Sequence, residues 1–159
     1  MSRVIFFDAG PLGIITNPKT PSPNLTVAAI EWAIELGKSG HRLIVPAIAD
    51  FEVRRELVRA RKKDGIALLD AWNSAQPDRY LPLTDSALRL ASDLWAQARN
   101  SGVLPADPKE LNCDVLIAAQ ALDYQAIHGL AISDILIATM NLGHLSLFVP
   151  ADIWSNITP

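Results

Sequence analysis

Val4-Ile5-Phe6-Phe7 is an unbroken apolar run that stops abruptly on Asp8. Four residues are too few for a helix, and no polar side chain marks a wet face. The run therefore reads as a strand buried on both sides, the kind found in parallel sheets. Arg42–Pro46 and Ile135–Thr139 read as further strands, and residues 80–83 and 145–149 as shorter extended pieces. Between them the apolar spacing turns helical, over about 25–39, 47–63, 66–75, 84–101 and 113–127. Gly40 suits the exit of the first of these helices and Asp64-Gly65 stops the second. Thr84 caps the fourth and Gly102 closes it, and Asn112 is placed to cap the last. Pro11, Pro18, Pro21 and Pro23 keep the chain from a long helix after the first strand. Residues 103–110 read as a loop. Strands alternating with helices predict a three-layer α/β/α sandwich around a mostly parallel sheet.

At 159 residues the chain suits one domain, residues 1–159, with 50% apolar types to fill its core. Its 14 basic and 17 acidic residues leave a formal charge of −3, which excludes a globally basic nucleic-acid coat. Any such binding must use a local patch. One exists: Arg54, Arg55, Arg59, Arg61, Lys62 and Lys63 put six of the 14 basic residues within ten positions. The single Cys113 excludes an internal disulfide framework and a Cys-rich zinc site. No apolar run reaches the roughly 18 residues that span a bilayer. The opening residues do not resemble a signal peptide, so a reducing cytoplasmic setting is expected.

Several familiar motifs fail. Gly37-Lys38-Ser39 lacks the earlier glycine of a phosphate loop and follows a helix, not a strand. There is no G-x-S-x-G elbow and no H-E-x-x-H, and His41, His128 and His144 have no helical pairing. Asp8-Ala9-Gly10 lacks the second acid of an aspartyl-phosphate phosphatase.

Four places carry chemistry more plausibly. Asp8 ends a strand, at the edge where open α/β sheets bind ligands, although a turn-forming Asp before Gly10-Pro11 fits the same position. Glu52 shares a helix face with Ile48, Arg55 and Arg59, and a solvated ion pair is the alternative. Glu56 competes with it one turn on. Asp114 opens a strongly apolar helix, where a capping role is also open. Ala118 and Ala121 follow it as a small-residue strip that lets another element approach and leaves room for a substrate or ion. Thr139 and Asn141 offer neutral oxygens after the last strong strand, where turn chemistry is the alternative.

Taken in order, Phe7-Asp8-Ala9-Gly10-Pro11, Glu52, Asp114-Val115-Leu116-Ile117-Ala118-Ala119 and Thr139-Met140-Asn141-Leu142-Gly143-His144-Leu145 resemble a PIN domain over nearly the whole chain. The segments around Glu52 and after His144 resemble the VapC-like toxins of bacterial toxin–antitoxin pairs. The resemblance implies a Mg²⁺- or Mn²⁺-dependent endoribonuclease. Asp8, Glu52 and Asp114 become its acidic cluster, with Asp8 and Asp114 the foremost metal ligands and Glu52 a ligand through water or a base. Asn141 becomes a group holding a metal-bound water or Asp8. Thr139, His144 and Asn112 become supporting residues, and Arg55, Arg54 and Arg59 contacts to RNA phosphates. A homodimer and a cognate antitoxin are implied as partners. The chain departs from the pattern in two places: Asn141 and His144 stand where many PIN domains have a fourth acid, and Asn112 stands where related chains often have one. The departures motivate a second reading, a catalytically weakened PIN-fold RNA-binding or regulatory module. A small-molecule phosphohydrolase at the same sheet edge is a third. Trp32, Trp72, Trp95 and Trp154 are expected in the core or on a self-association face.

Overall fold

The computed structural model describes residues 1–17, 23–102 and 108–159, the side chains of residues 23 and 108–110 excepted. Pro18, Pro21, the ring of Pro23 and most of the expected 103–110 loop lie outside the described residues. Five strands form one wholly parallel sheet: β1 (Val4–Phe7), β2 (Arg42–Pro46), β3 (Tyr80–Leu81), β4 (Ile135–Thr139) and β5 (Ala151–Ile153). Their spatial order is β3-β2-β1-β4-β5. Val4 pairs with Arg42 on one side, and Phe7 with Ala138 on the other.

The helices are α1 (Ala9–Thr16), α2 (Pro23–Lys38), α3 (Ala47–Arg59), α4 (Lys63–Ser74), α5 (Asp85–Asn100) and α6 (Pro108–Ile127). Consecutive residues of a strand point to opposite faces. The neighbours of Phe6 and Phe7 therefore sort the layers. Phe6 meets Tyr124 of α6 edge-on at 5.5 Å, whereas Phe7 meets Trp32 of α2 at 5.7 Å and Trp72 of α4 at 6.0 Å. Helices thus cover both faces of the sheet. The apolar strands are sealed on both sides, with Ile5, Phe6, Phe7, Ile44, Val45, Ile137 and Ala138 wholly buried. Trp154 packs on Trp32, whose indole donates to the Ile157 carbonyl at 2.8 Å. Trp95 is the exposed one of the four, with Arg99 over its ring.

Thr84 caps α5 as expected, accepting from the Ala87 N–H at 3.0 Å. Three boundaries differ from the sequence reading. The first helix break falls at 60–62, where Arg61 adopts φ 54°, and Asp64-Gly65 lies inside α4. Gly65 marks close packing there: a Cβ on it would sit 2.7 Å from Leu57 Cδ2. α6 begins at Pro108, so Asn112 is interior to the helix and caps nothing. Residues 145–149 are not a strand. Leu145 and Val149 are buried while Ser146 and Leu147 are exposed, a spacing of four that fits the Val149 N–H donating to the Leu145 carbonyl at 3.1 Å, just past the 3₁₀ turn over Leu145–Leu147. The strand comes after Pro150, as β5. Among the described residues no helix is long and apolar enough to cross a membrane.

Phe7 is the hinge of this packing. Phe7→Ala should cost about 3–5 kcal/mol in chemical denaturation, whereas Trp95→Ala should stay within about 1 kcal/mol. Similar losses for the two variants would mean that the aromatic cluster is not the core.

Candidate active site

β1 lies between β2 and β4, and the chain leaves the two sides of β1 in opposite directions. This reversal is the topological switch point, and it opens a crevice beyond the carboxyl ends of β1 and β4. Asp8 ends β1 and N-caps α1. One carboxylate oxygen accepts from the Ala9 N–H at 2.8 Å and the other from the Thr139 hydroxyl at 2.6 Å. A hydroxyl has one proton, so the short contact to Asp8 places it there, and Thr139 in turn accepts from the Asn141 N–H at 3.1 Å. The Asn141 amide oxygen closes the next turn by accepting from the Gly143 N–H at 3.0 Å. Thr139, rather than Asn141, is thus the residue whose side chain holds Asp8.

Asp114 comes to the same edge from α6. His144 Nδ1 stands 3.3 Å from its carboxylate. Asn141 Oδ1 and Asp114 Oδ2 flank Gly143, each within 4 Å of where a Cβ on that glycine would lie. Glu52 enters from α3. Burial, then the charge of Asp8, lifts its carboxyl from the ordinary 4.5 to about 7, with Arg55 opposing and Asp114 adding to the rise. Burial raises Asp114 as well, with Asp8 contributing and His144 pulling back. Burial raises Asp8, while Thr139 and Ala9 pull it down. Three carboxyl groups from three elements therefore feel one another electrostatically. Among the described residues, no three His, Cys, Asp or Glu side chains close into a ready metal cage.

An open groove of ≈560 Å³ leads away from Glu52 between α1 and α3, and Arg55, Arg59 and Lys62 line it. The Arg55 guanidinium lies over the Phe51 ring at 5.4 Å. Arg59 pairs with Glu56 at 2.8 Å, an exposed bond of little strength. Arg54 departs from expectation. One residue's rotation carries it away from Arg55, to Asp50 at 2.8 and 2.9 Å and Asp70 at 2.7 Å. Its fork braces α3 to α4, so it is not a groove cation.

Asn112 also departs. It is exposed and lines a hollow between α5 and α6 with Leu88, Trp95 and Leu116, because two positions along a helix turn a side chain to nearly the opposite face from Asp114. Ala118 and Ala121 are wholly buried, so their strip admits the sheet, not a substrate.

Two contributors were missed in the sequence. Cys113 lies beside Glu52 and pulls its raised carboxyl back down, and its adjacency to Asp114 was the available signal. Gln120 is buried. It accepts from the Ile48 N–H at 3.2 Å and donates to the Leu81 carbonyl at 3.0 Å, tying α6 to α3 and β3. A lone amide in the run Ile117-Ala118-Ala119-Gln120-Ala121 could have revealed it.

Gly10 sits under the 139–141 turn. A Cβ there would come within 2.7 Å of Met140 Cγ, so glycine lets that turn descend over α1.

No protein-family model matches the sequence, and no curated protein matches it. Solved structures do share its fold. A chain of VapBC2 from Rickettsia felis, bound to a DNA fragment from their promoter, superposes with a TM-score of 0.68 at 14% identity, over 95% of this chain and 98% of that one. A chain of FitAcB from Neisseria gonorrhoeae gives 0.63 at 19%, over 96% and 99%. A chain of VapBC-1 from nontypeable Haemophilus influenzae gives 0.62 at 12%, over 96% and 98%. At these identities the likeness is one of fold: an α/β architecture whose parallel sheet is flanked by helices.

The raised carboxyls set a pH dependence. A carboxyl whose folded value exceeds its unfolded one favours the folded state below the unfolded value and loses that contribution as pH rises through the folded value. For Glu52 the window runs from 4.5 to about 7. Glu52→Gln should therefore stabilise the metal-free protein at pH 8 by about 1–2 kcal/mol, after allowance for solvent screening, and flatten its melting temperature across that window. An unchanged pH profile in this variant would remove the electrostatic account of the site.

Proposed function

We propose that the chain is a divalent-metal-dependent endoribonuclease, the toxin of a toxin–antitoxin pair. The observation that carries this reading is the approach of Asp8, Glu52 and Asp114, from β1, α3 and α6, to one crevice whose groove is lined by Arg55. Carboxyls that raise one another's proton affinity are groups a cation would relieve. Their donor set is all hard oxygen, which fits Mg²⁺ or Mn²⁺. Mg²⁺ commonly takes one or two carboxylates and fills its remaining positions with water and phosphate. Asp8 and Asp114 are the proposed direct ligands and Glu52 a ligand through water. The ion, when bound, polarises the phosphoryl oxygen and eases loss of a proton from water.

The protein's own groups supply the rest. Thr139 fixes the Asp8 carboxylate through its hydroxyl, and Ala9 fixes the other oxygen through its N–H. His144 does the same for Asp114. Glu52, held beside Asp8 and Asp114, accepts the proton of the attacking water as the scissile P–O bond breaks, and the leaving oxygen takes a proton from solvent. Arg55 sits beside Glu52 and faces the phosphate backbone, with Arg59 following along the groove. Arg54 is outside this set. The shared fold with chains of VapBC2, FitAcB and VapBC-1 supports the toxin assignment and a cognate antitoxin as partner. A homodimer agrees with the exposed Leu88 and Trp95 on α5.

A second reading has its own observation. Asn141 occupies the stretch where many PIN domains carry a fourth acid, which suits a PIN-fold RNA-binding or regulatory module that has lost catalysis. The readings part on Mn²⁺ titration and RNA cleavage together. The nuclease takes up Mn²⁺ at millimolar concentration and cuts single-stranded RNA, and the module does neither.

Asp8→Asn and Asp114→Asn should reduce metal-dependent cleavage to background while leaving the melting transition cooperative. Glu52→Gln should slow cleavage by about 10²–10⁴-fold. Equal cleavage by the wild type and all three variants would exclude this centre. Arg55→Gln should weaken RNA binding and lower its salt slope by roughly 0.7, one phosphate contact. Arg54→Gln should cost stability and leave that slope unchanged.

A further inference from the structure

Phe51 stands apart from the other phenylalanines. Phe6 and Phe7 are wholly buried and Phe148 is partly buried, but Phe51 is 55% exposed. A single exposed apolar side chain is ordinary and by itself carries nothing. The neighbours of this one make the difference. It directly precedes Glu52, and the Arg55 guanidinium lies over its ring at 5.4 Å. Arg55 also lines the groove that leads from Glu52, and its charge acts on the Glu52 carboxyl.

The helix sets the order of these side chains. Measured from Phe51, Arg55 lies about 40° round α3, Arg59 about 80° and Glu52 about 100°. Glu52 and Arg59 therefore face the groove, Arg55 stands on its rim, and Phe51 lies just outside. Arg59 is paired with Glu56, and the only contact of the Arg55 guanidinium described above is with the Phe51 ring. A phosphate held by Arg55 leaves its base, one sugar away, beside that ring. The guanidinium covers the ring loosely from one side. With more than half of the residue exposed, the ring is open beyond it.

We propose that Phe51 is a stacking platform for an unpaired RNA base, the one next to the phosphate that Arg55 holds. The assignment deepens the nuclease reading and takes its substrate from it. Stacking uses the π-face that every base has, so the contact tolerates any base and selects for one free of a helix. In a duplex the neighbouring bases already cover both faces, and the platform has nothing to take. A protein partner is the other use of an exposed ring. The cation over the ring favours RNA, because an apolar partner would have to strip water from Arg55 without offering it an anion.

Affinity for a short single-stranded RNA, read in the full chain carrying Asp8→Asn in EDTA at low salt, separates the platform from the chemistry. Adding Phe51→Leu keeps an apolar side chain and removes the ring. It should weaken binding about five- to tenfold, the loss of one base stack, whereas Phe51→Trp should bind at least as tightly as Phe51 does. The position is exposed, so neither change should alter the melting transition. Moving one abasic nucleotide along the strand should find a position where the Phe51 protein falls to the affinity of the Phe51→Leu protein, which itself loses nothing there. Equal single-strand binding by the Phe51, Leu and Trp proteins would overturn the proposal and leave the ring to a protein partner. So would a Phe51→Leu loss that persists at every abasic position, or the same loss on a duplex. A Phe51-dependent, abasic-sensitive affinity in a protein whose wild type cuts no RNA with Mn²⁺ would sustain the platform and fail the nuclease reading.

Discussion

The parallel pairing of β1 with β4 is the constraint on which the rest depends. Phe7 lies opposite Ala138, so the next residues, Asp8 and Thr139, leave the sheet side by side. The 2.6 Å bond between them joins two residues 131 positions apart. A slip of one residue would invert every side chain of the strand. The wholly buried strands make that slip costly, because Phe6 and Phe7 must each find aromatic partners on opposite faces. Core packing thereby fixes the placement of the carboxylate.

The other two acids are carried on helices, and their placement relies on a polar tie inside an apolar layer. Gln120 binds the backbone of both α3 and β3 from its seat on α6. On the far side, Asp50, buried and held by Arg54 and Asn73, anchors the first half of α3 to α4. Glu52 sits between these two fixings. The carboxyls can thus be kept close against their repulsion, at a cost the surrounding core supplies.

Much of this was legible in the sequence because the signals were periodic or terminal. The run Val4–Phe7, the Thr84 cap and the alternation of elements depend on local pattern, and the structure follows them. Asp8, Glu52 and Asp114 were findable as acids at element ends or on helix faces. What escaped was angular. Arg54 and Arg55 are neighbours in the chain, and only knowledge of where Asp50 and Asp70 lie separates their roles. Asn112 stands where related chains often have an acid, which made it a supporting residue, yet the helix turns it away from Asp114. The 145–149 segment misled for a related reason: four of its five residues are apolar, and so short an apolar run bounded by turns reads alike as a strand or a helical turn.

The division of α3 has a bearing on how such a protein can diversify. One flank carries the brace to α4, while the flank bearing Arg55, Glu56 and Arg59 is held by little more than exposed pairing. Inherited changes on that outer flank can accumulate without loosening the scaffold, so the chemistry the groove presents can drift between lineages while the foundation stays put.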